Sequence, residues 1–305
     1  MSAFTRNRTN GYKPLFFLFC LFALGWITLL LYAGGMTTSI KAGMAFLDWP
    51  LSNGSVNPAG WLTESDKMAE HSHRLLGMKI GLLSIGLFLW TYLRESRDWV
   101  RTLSRVLLWV VILQGLLGGA RVRFDQLNIM SEHNLVAQSF AVVHACGAMV
   151  VLGILVTLTL ASTRRWIEAG AGLNVQQPAG VKRWGIIATV AIFLQILVGA
   201  IMRHADAGLA LLKFPMSTAT TWLPTYWNFD VSVHFAHRIG AILVTLILLV
   251  FLCKLWGSPT AKRALGYGAL FLAVILVLQI SLGALTIWTV KNPYAATAHH
   301  LVGAF

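Results

Sequence analysis

The chain has 305 residues, of which 57% are hydrophobic and only 11% charged, and its mean hydropathy is +0.69. A soluble domain carries about 25% charged residues, so this composition excludes an ordinary water-soluble globule. The formal net charge of +13 does not indicate nucleic-acid binding, because the basic residues occur in short segments between apolar blocks, as in membrane proteins.

Eight apolar blocks follow one another along the chain. A membrane-spanning helix needs about 20 predominantly apolar residues. The predicted helices cover 14–35, 68–93, 103–120, 135–161, 183–202, 231–253, 264–289 and 293–305. The last block is too short to cross a bilayer, so we expect an eighth transmembrane helix cut short at residue 305. The predicted fold class is an all-α polytopic membrane protein.

Basic residues set a predicted orientation. The segment before the first block and three alternate connections hold 14 of the 24 Lys and Arg residues. They are Arg6, Arg8, Lys13, Arg94, Arg97, Arg101, Arg105, Arg164, Arg165, Lys182, Arg183, Lys254, Lys262 and Arg263. The positive-inside rule therefore predicts a cell-membrane protein with a cytoplasmic N-terminus, and the long connections 36–67 and 203–230 on the outer side.

Four sequence segments recur in the same order in the two parts of the chain. The matches are 43–50 with 208–215, 73–75 with 237–239, 114–118 with 279–283, and 144–148 with 300–304. The first three pairs are separated by nearly the same number of residues, and the fourth by slightly fewer. This pattern predicts two duplicated, pseudo-twofold-related four-helix bundles, residues 1–165 and 180–305, in the same orientation.

Histidines lie within or at the ends of the predicted spans, where ionisable residues are costly and often functional. His73 and His144 in the first half match His237 and His300 in the second, so each half offers one imidazole from each of two helices. Such a pair suits bis-histidine haem ligation better than zinc, which needs more protein ligands. His299 leaves the register of the last ligand open by one residue, and the Gly-Ala after His300 favours His300.

Four arginines are candidates for binding haem propionates, because the guanidinium fork matches a carboxylate. Arg74 and Arg238 follow the matched histidines, and Arg121 and Arg203 stand where two spans end on the predicted outer side. Interfacial anchoring is the alternative role for these residues. Lys79, inside the second span, either snorkels or offsets a carboxylate.

The two halves differ at a carboxylate close to the first matched histidine. Glu70 precedes His73 by three residues, whereas His234 stands at the matching position before His237. Residues three apart share a helix face, so we expect Glu70 beside the first haem pocket only. There it would accept a proton or stabilise developing positive charge, and a helix-start carboxylate is the structural alternative.

In its ordered motifs the chain resembles the haem A synthase family over essentially its whole length. The motifs are Gly34-Gly35, Gly43, Asp48-Trp49-Pro50, Glu70-His71-Ser72-His73-Arg74, Gln114-Gly115-Leu116-Leu117-Gly118-Gly119, His144, Gly199-Ala200-Ile201-Met202-Arg203-His204, His234-Phe235-Ala236-His237-Arg238 and His299-His300. Two features depart from the family pattern: the cysteine pair that some bacterial members carry in the outer loops is absent, and Lys213 replaces an acid. The first departure puts a disulfide-linked electron route in doubt, and the second concerns only the long connection 203–230.

The resemblance implies oxidation of the haem O methyl group to the formyl of haem A by successive hydroxylations, for terminal oxidase assembly. It also implies that His73 and His144 hold haem O beside the catalytic Glu70, while His237 and His300 ligate a haem b that handles electrons. The resemblance implies haem O, delivered by a haem O synthase, and an electron acceptor as partners. The apolar blocks predict the lipid bilayer as a further partner, and a homo-oligomer is also predicted. Nucleic acid is not among them.

Two other functions remain open from the residues alone. A two-haem membrane cytochrome b that only passes electrons would also use two histidine pairs. A non-catalytic haem carrier or assembly factor would bind haem loosely and would not need Glu70.

Overall fold

The computed structural model of the protein describes residues 11–127, 134–168 and 178–305. Throughout these ranges the regular structure is helical, apart from one isolated β-bridge between Ser52 and Ser55. The helices are α1 Pro14–Ser39, α2 Ser65–Arg94, α3 Asp98–Leu127, α4 Leu135–Ser162, α5 Arg164–Glu168, α6 Ala179–His204, α7 Phe229–Trp256, α8 Pro259–Trp288 and α9 Pro293–Val302. The prediction of an all-α protein is confirmed.

Seven of these helices are long and apolar enough to cross a membrane: α1 to α4 and α6 to α8. The prediction of a multi-pass membrane protein is confirmed by them. The predicted eighth span forms α9, a helix of 10 residues, and the eight-span count stays a prediction.

Local sequence signals explain where several helices begin. Side-chain oxygens of the residues just before α4, α7, α8 and α9 accept hydrogen bonds from backbone N–H groups of the first turn, which lack partners inside the helix. These capping residues are Asn134, Asn228, Ser258 and Asn292. Proline opens α1, α8 and α9, where its missing N–H removes no helical hydrogen bond.

The chain divides into two compact units, residues 1–175 (unit 1) and 176–305 (unit 2). In unit 1 the helices pack in a closed ring, α1 on α2, α2 on α3, α3 on α4 and α4 on α1. In unit 2 the successive pairs α6 and α7, α7 and α8, and α8 and α9 pack together. Small buried side chains such as Cys20, Ala23, Ala141 and Ala161 allow close helix contact in unit 1.

The end of α2 is joined to α3 and α4 by a buried ion pair. Glu95 accepts hydrogen bonds from Arg97 Nε at 2.9 Å and Arg97 Nη2 at 3.0 Å, and Arg97 Nη1 donates to the Ala161 carbonyl at 2.7 Å. Burial opposes ionisation of Glu95, but the hydrogen bonds and charge of Arg97 outweigh it and lower the pKa of this carboxyl. The pair fixes the unit 1 helix ends opposite the α1–α2 connection.

Two connections matter for the site. We call residues 40–64, between α1 and α2, loop L1, and residues 205–228, between α6 and α7, loop L2. L1 is braced internally by Asp48, whose carboxylate accepts the backbone N–H groups of Asn53 and Gly54, both at 2.7 Å. Although its partial burial acts in the opposite direction, these bonds hold the pKa of Asp48 below its ordinary value.

Candidate functional site

In unit 1 the imidazoles of His73 on α2 and His144 on α4 face each other. Their ring centroids are 6.4 Å apart and their planes are nearly perpendicular, at 87°. Gly34 of α1 and Gly118 of α3 lie against the two rings: a methyl group at these positions would come within 2.7 Å of His73 Cε1 and 3.5 Å of His144 Cε1. All four long helices of unit 1 therefore contribute to this pair.

Unit 2 contains a second facing pair, formed by His237 on α7 and His299 on α9. The ring centroids are again 6.4 Å apart, with an interplanar angle of 81°. A methyl group at Gly199 of α6 would come within 2.9 Å of His237 Cε1, and one at Gly283 of α8 within 3.0 Å of His299 Cε1. The unit 2 pair thus has the same kind of glycine neighbours as the unit 1 pair.

The ring that faces His237 belongs to His299, whereas the Gly-Ala after His300 favoured His300 as the ligand. The sequence match does have a structural counterpart, since Gln279 lies against Gly303 as Gln114 lies against Gly147. Consecutive helical residues point about 100° apart, however, so only one of the two histidines can face α7. His299 Nδ1 also lies 3.1 Å from the Gln279 carbonyl oxygen, which orients its ring.

These donor sets fit a haem. His73 Nδ1 and His144 Nδ1 are buried and have no hydrogen-bond partner among the described residues. The ring separation accommodates two metal–imidazole bonds of about 2 Å each. Within the described ranges no group of three or more His, Cys, Asp or Glu residues could hold a bare metal ion. Two imidazoles alone suit a metal whose other ligands come from a macrocycle.

Glu70 and Arg74 form an ion pair at the start of α2 and bind L1. Arg74 Nε donates to Glu70 Oε1 at 3.1 Å, and Nη2 donates to the same oxygen. Arg74 Nη2 also donates to the Phe46 carbonyl at 3.0 Å, and Nη1 to the carbonyls of Asp48 at 2.7 Å and Leu51 at 2.5 Å. These five bonds use all five N–H groups of the guanidinium.

Arg121 and Arg203 are two of the other three predicted propionate ligands. The Arg121 guanidinium on α3 is 3.0 Å from the position a methyl group would take on Gly43 of L1. Arg203 at the end of α6 donates to the Ala296 carbonyl of α9 at 3.4 Å. Both lie close to the helices that carry the paired histidines.

Arg238 and Lys79 have different surroundings. Arg238 donates to the carbonyls of Leu211 at 2.9 Å and Met216 at 3.1 Å, both in L2. Lys79 Nζ lies 4.7 Å from the centroid of the Trp26 ring, with the side chain on an exposed face of α2. Lys79 therefore does not belong to the facing histidine pair.

Sequence analysis missed the role of glycine in seating the imidazoles. A usable signal was present, since Gln114, Gln195 and Gln279 each precede by four residues a glycine that contacts a paired histidine. His71, a histidine without a counterpart in the other half, contacts L1: its Nδ1 lies 3.0 Å from Ser52 Oγ and its ring packs against Trp61.

The seven apolar helices and the facing imidazoles inside each unit define a multi-pass helical membrane protein with two candidate bis-histidine sites. The chain belongs to the COX15-CtaA family, described as cytochrome oxidase assembly protein, whose sequence model matches residues 17–305.

Several curated relatives are similar along most of the chain, and each is named Heme A synthase. The relative from Shouchella clausii is 30% identical over 272 residues, which is 86% of this chain and 83% of that protein. The relative from Geobacillus kaustophilus is 27% identical over 276 residues, or 88% of this chain and 81% of that protein. The Bacillus licheniformis relative is 28% identical, with 88% and 85% covered.

Proposed function

We propose that this protein is a haem A synthase, which oxidises the methyl group of haem O to a formyl group by successive hydroxylations for terminal oxidase assembly. The names of its relatives support the activity. The observation that carries the proposal is the presence of two facing imidazole pairs, one in each unit. Two such pairs suit one substrate haem and one haem for electron transfer.

In this proposal His73 and His144 hold the substrate haem O in unit 1, and His237 and His299 hold haem b in unit 2. A bound haem supplies the oxidising chemistry that side chains lack, since a methyl C–H bond is inert. The protein's own contribution is to orient the two macrocycles. The glycines against the four rings and the Gln279 carbonyl near His299 Nδ1 serve that purpose.

Propionate binding is assigned differently in the two units. Arg74 has no N–H left after its five bonds to L1 and Glu70, so Arg121 is the proposed propionate partner in unit 1. In unit 2 we assign this role to Arg203 and Arg238, whose carbonyl bonds orient them. A guanidinium can still pair with a carboxylate while it donates one or two bonds to carbonyls.

The proposed setting is the cell membrane, with the N-terminus in the cytoplasm and both haem sites toward the outer leaflet. The 14 basic residues that lie before α1 or at and between the helix ends on the same predicted side support that orientation. Haem O would arrive from a haem O synthase, and electrons would leave to an acceptor.

Expression of the chain with and without a haem O supply, followed by extraction and mass identification of the haems, tests the activity. We expect haem A only when haem O is supplied and only when the unit 1 histidines are present, so H73Q/H144Q is the control. Haem b in both sites with unchanged haem O would instead establish the two-haem cytochrome b. Loosely held haem without conversion would establish the carrier.

A further inference from the structure

Glu70 is engaged by L1 and by Arg74. It is 4% exposed, and its Oε2 accepts the backbone N–H of Phe46 at 3.0 Å, while its Oε1 accepts from Arg74. Arg74 Nη2 donates to the carbonyl of the same Phe46. The Glu70–Arg74 pair therefore forms hydrogen bonds with both the N–H and the C=O of one loop residue. The Glu70 carboxylate thus anchors L1 to α2.

The corresponding position of unit 2 performs the same task with a different side chain. His234 Nδ1 accepts the backbone N–H of Leu211 in L2 at 3.3 Å, and Arg238 Nη2 donates to the Leu211 carbonyl at 2.9 Å. His234 stands where Glu70 stands in the sequence repeat, and Leu211 where Phe46 stands. An imidazole therefore anchors a loop of this kind without a negative charge.

L1 reaches the helices that carry the facing histidines of unit 1. The Trp49 ring lies against Gly119 of α3, since a methyl group there would come within 2.6 Å of Trp49 Cδ2. The preceding residue, Gly118, is the one that seats His144. L1 thus places the Trp49 indole against the residue next to Gly118, the glycine that contacts His144.

We propose that Glu70 and Arg74 are positioning residues that hold L1, and with it Trp49, against α3 beside the substrate site of unit 1. Their effect on the reaction passes through the Phe46 backbone. The requirement at position 70 is then a buried acceptor for the Phe46 N–H, which histidine also provides. This inference rests on the proposed function for its kinetic part only, because the anchoring of L1 can be measured independently.

The test replaces Glu70 by histidine, the residue at the corresponding position of unit 2, and compares this variant with the alanine variant. In E70H we expect hydrogen–deuterium exchange of L1 as slow as in the unsubstituted protein, together with haem A formation within about threefold of it. In E70A, loss of the acceptor should speed exchange of the Phe46 amide by about tenfold or more and reduce haem A formation by a similar factor. R74K keeps the positive charge but loses most of the five bonds, so it should resemble E70A.

The matched control is H234A, which should speed exchange at Leu211 in L2 and leave L1 protected. The inference is overturned if E70H keeps L1 protected and abolishes conversion, because the carboxylate would then be needed at the substrate. It is also overturned if E70H exchanges as fast as E70A, or if E70A and R74K leave L1 protected. If even the unsubstituted protein makes no haem A while L1 exchange responds as expected, the anchoring stands and the proposed function fails.

Discussion

At the scale of single residues, the site depends on glycine as much as on histidine. Each facing imidazole has a glycine from a neighbouring helix against it, at positions 34, 118, 199 and 283. Three of the four methyl positions lie 3.0 Å or less from an imidazole carbon, closer than side-chain atoms normally approach. The absence of a side chain allows the ring to stand between two helices, and this placement keeps the imidazoles opposite each other.

Substitution of Gly34 by alanine tests this seating. We expect G34A to displace the His73 ring, to weaken haem retention in unit 1 and to cost about 1–3 kcal/mol of stability, the usual effect of overpacking. The control lies in the same helix, at Gly25, where an added methyl group meets nothing within 4 Å. G25A should retain haem fully, as measured by the haem absorbance per protein; equal losses in both variants would contradict the seating.

The ligand register in α9 leads to a second prediction at this scale. H299Q should remove the haem of unit 2, because His299 provides the ring that faces His237. H300Q should retain that haem, since a neighbouring helical residue points in another direction. Absorbance spectra and extracted haem content distinguish the two variants, and the reverse result would restore the choice of His300.

At the scale of elements, α2 of unit 1 is held at both of its ends by an ion pair. At one end Glu70 and Arg74 join α2 to L1, and at the other Glu95 and Arg97 join the end of α2 to the carbonyl end of α4. Both carboxylates are 4% exposed and paired with arginine. Through these hydrogen bonds the two ion pairs hold one end of α2 to L1 and the other end to α4.

The lowered pKa of Glu95 predicts how the Glu95–Arg97 ion pair responds to acid. A carboxyl whose folded-state pKa is lowered stabilises the fold above its unfolded pKa, about 4.3, and loses that contribution as the pH falls through the folded-state value. E95Q should therefore lose about 1.5–3 kcal/mol at neutral pH, with the difference from the unsubstituted protein shrinking below about pH 4.3.

Thermal unfolding in detergent between pH 3 and pH 7 measures this effect. The exposed Arg164–Glu168 pair supplies the control, because E168Q should leave the unfolding temperature unchanged at every pH. A pH-independent difference between E95Q and the unsubstituted protein would show that the charge of Glu95 is not what stabilises the helix ends.

At the scale of the whole molecule, two compact units each contain one facing imidazole pair. Each pair is built from helices of its own unit. Under the proposed function this arrangement separates substrate binding from electron handling. The two units differ in the residue that anchors the loop, which is a carboxylate at position 70 and an imidazole at position 234.

This separation predicts independent haem occupancy. H237Q/H299Q should lower the haem content per chain by about half and leave the haem of unit 1 bound, and H73Q/H144Q should have the converse effect. Quantified haem per purified chain, together with the identity of the remaining haem, checks both expectations. Loss of all haem in either double variant would show that the two sites form as one.

The sequence by itself determined that the chain is helical and crosses the membrane several times. In a bilayer the backbone must satisfy its own hydrogen bonds, so long apolar blocks such as 14–35 or 231–253 have one available structure. It also determined the family, because motifs such as Glu70-His71-Ser72-His73-Arg74 stand in a fixed order. The ligand roles of the histidines stay predictions, although the repeat indicated three of the four residues that form the facing pairs.

Only the tertiary structure decided which side chains meet. His299 and His300 are equivalent in composition and spacing, and the rotation of α9 against α7 selects the ring that faces His237. Arg74 has the pattern of an anion ligand, but the fold of L1 brings three carbonyl oxygens to its guanidinium. Hydropathy and spacing fix where a residue lies along a helix, whereas the partner of a hydrogen bond depends on loop geometry that forms only when the elements pack.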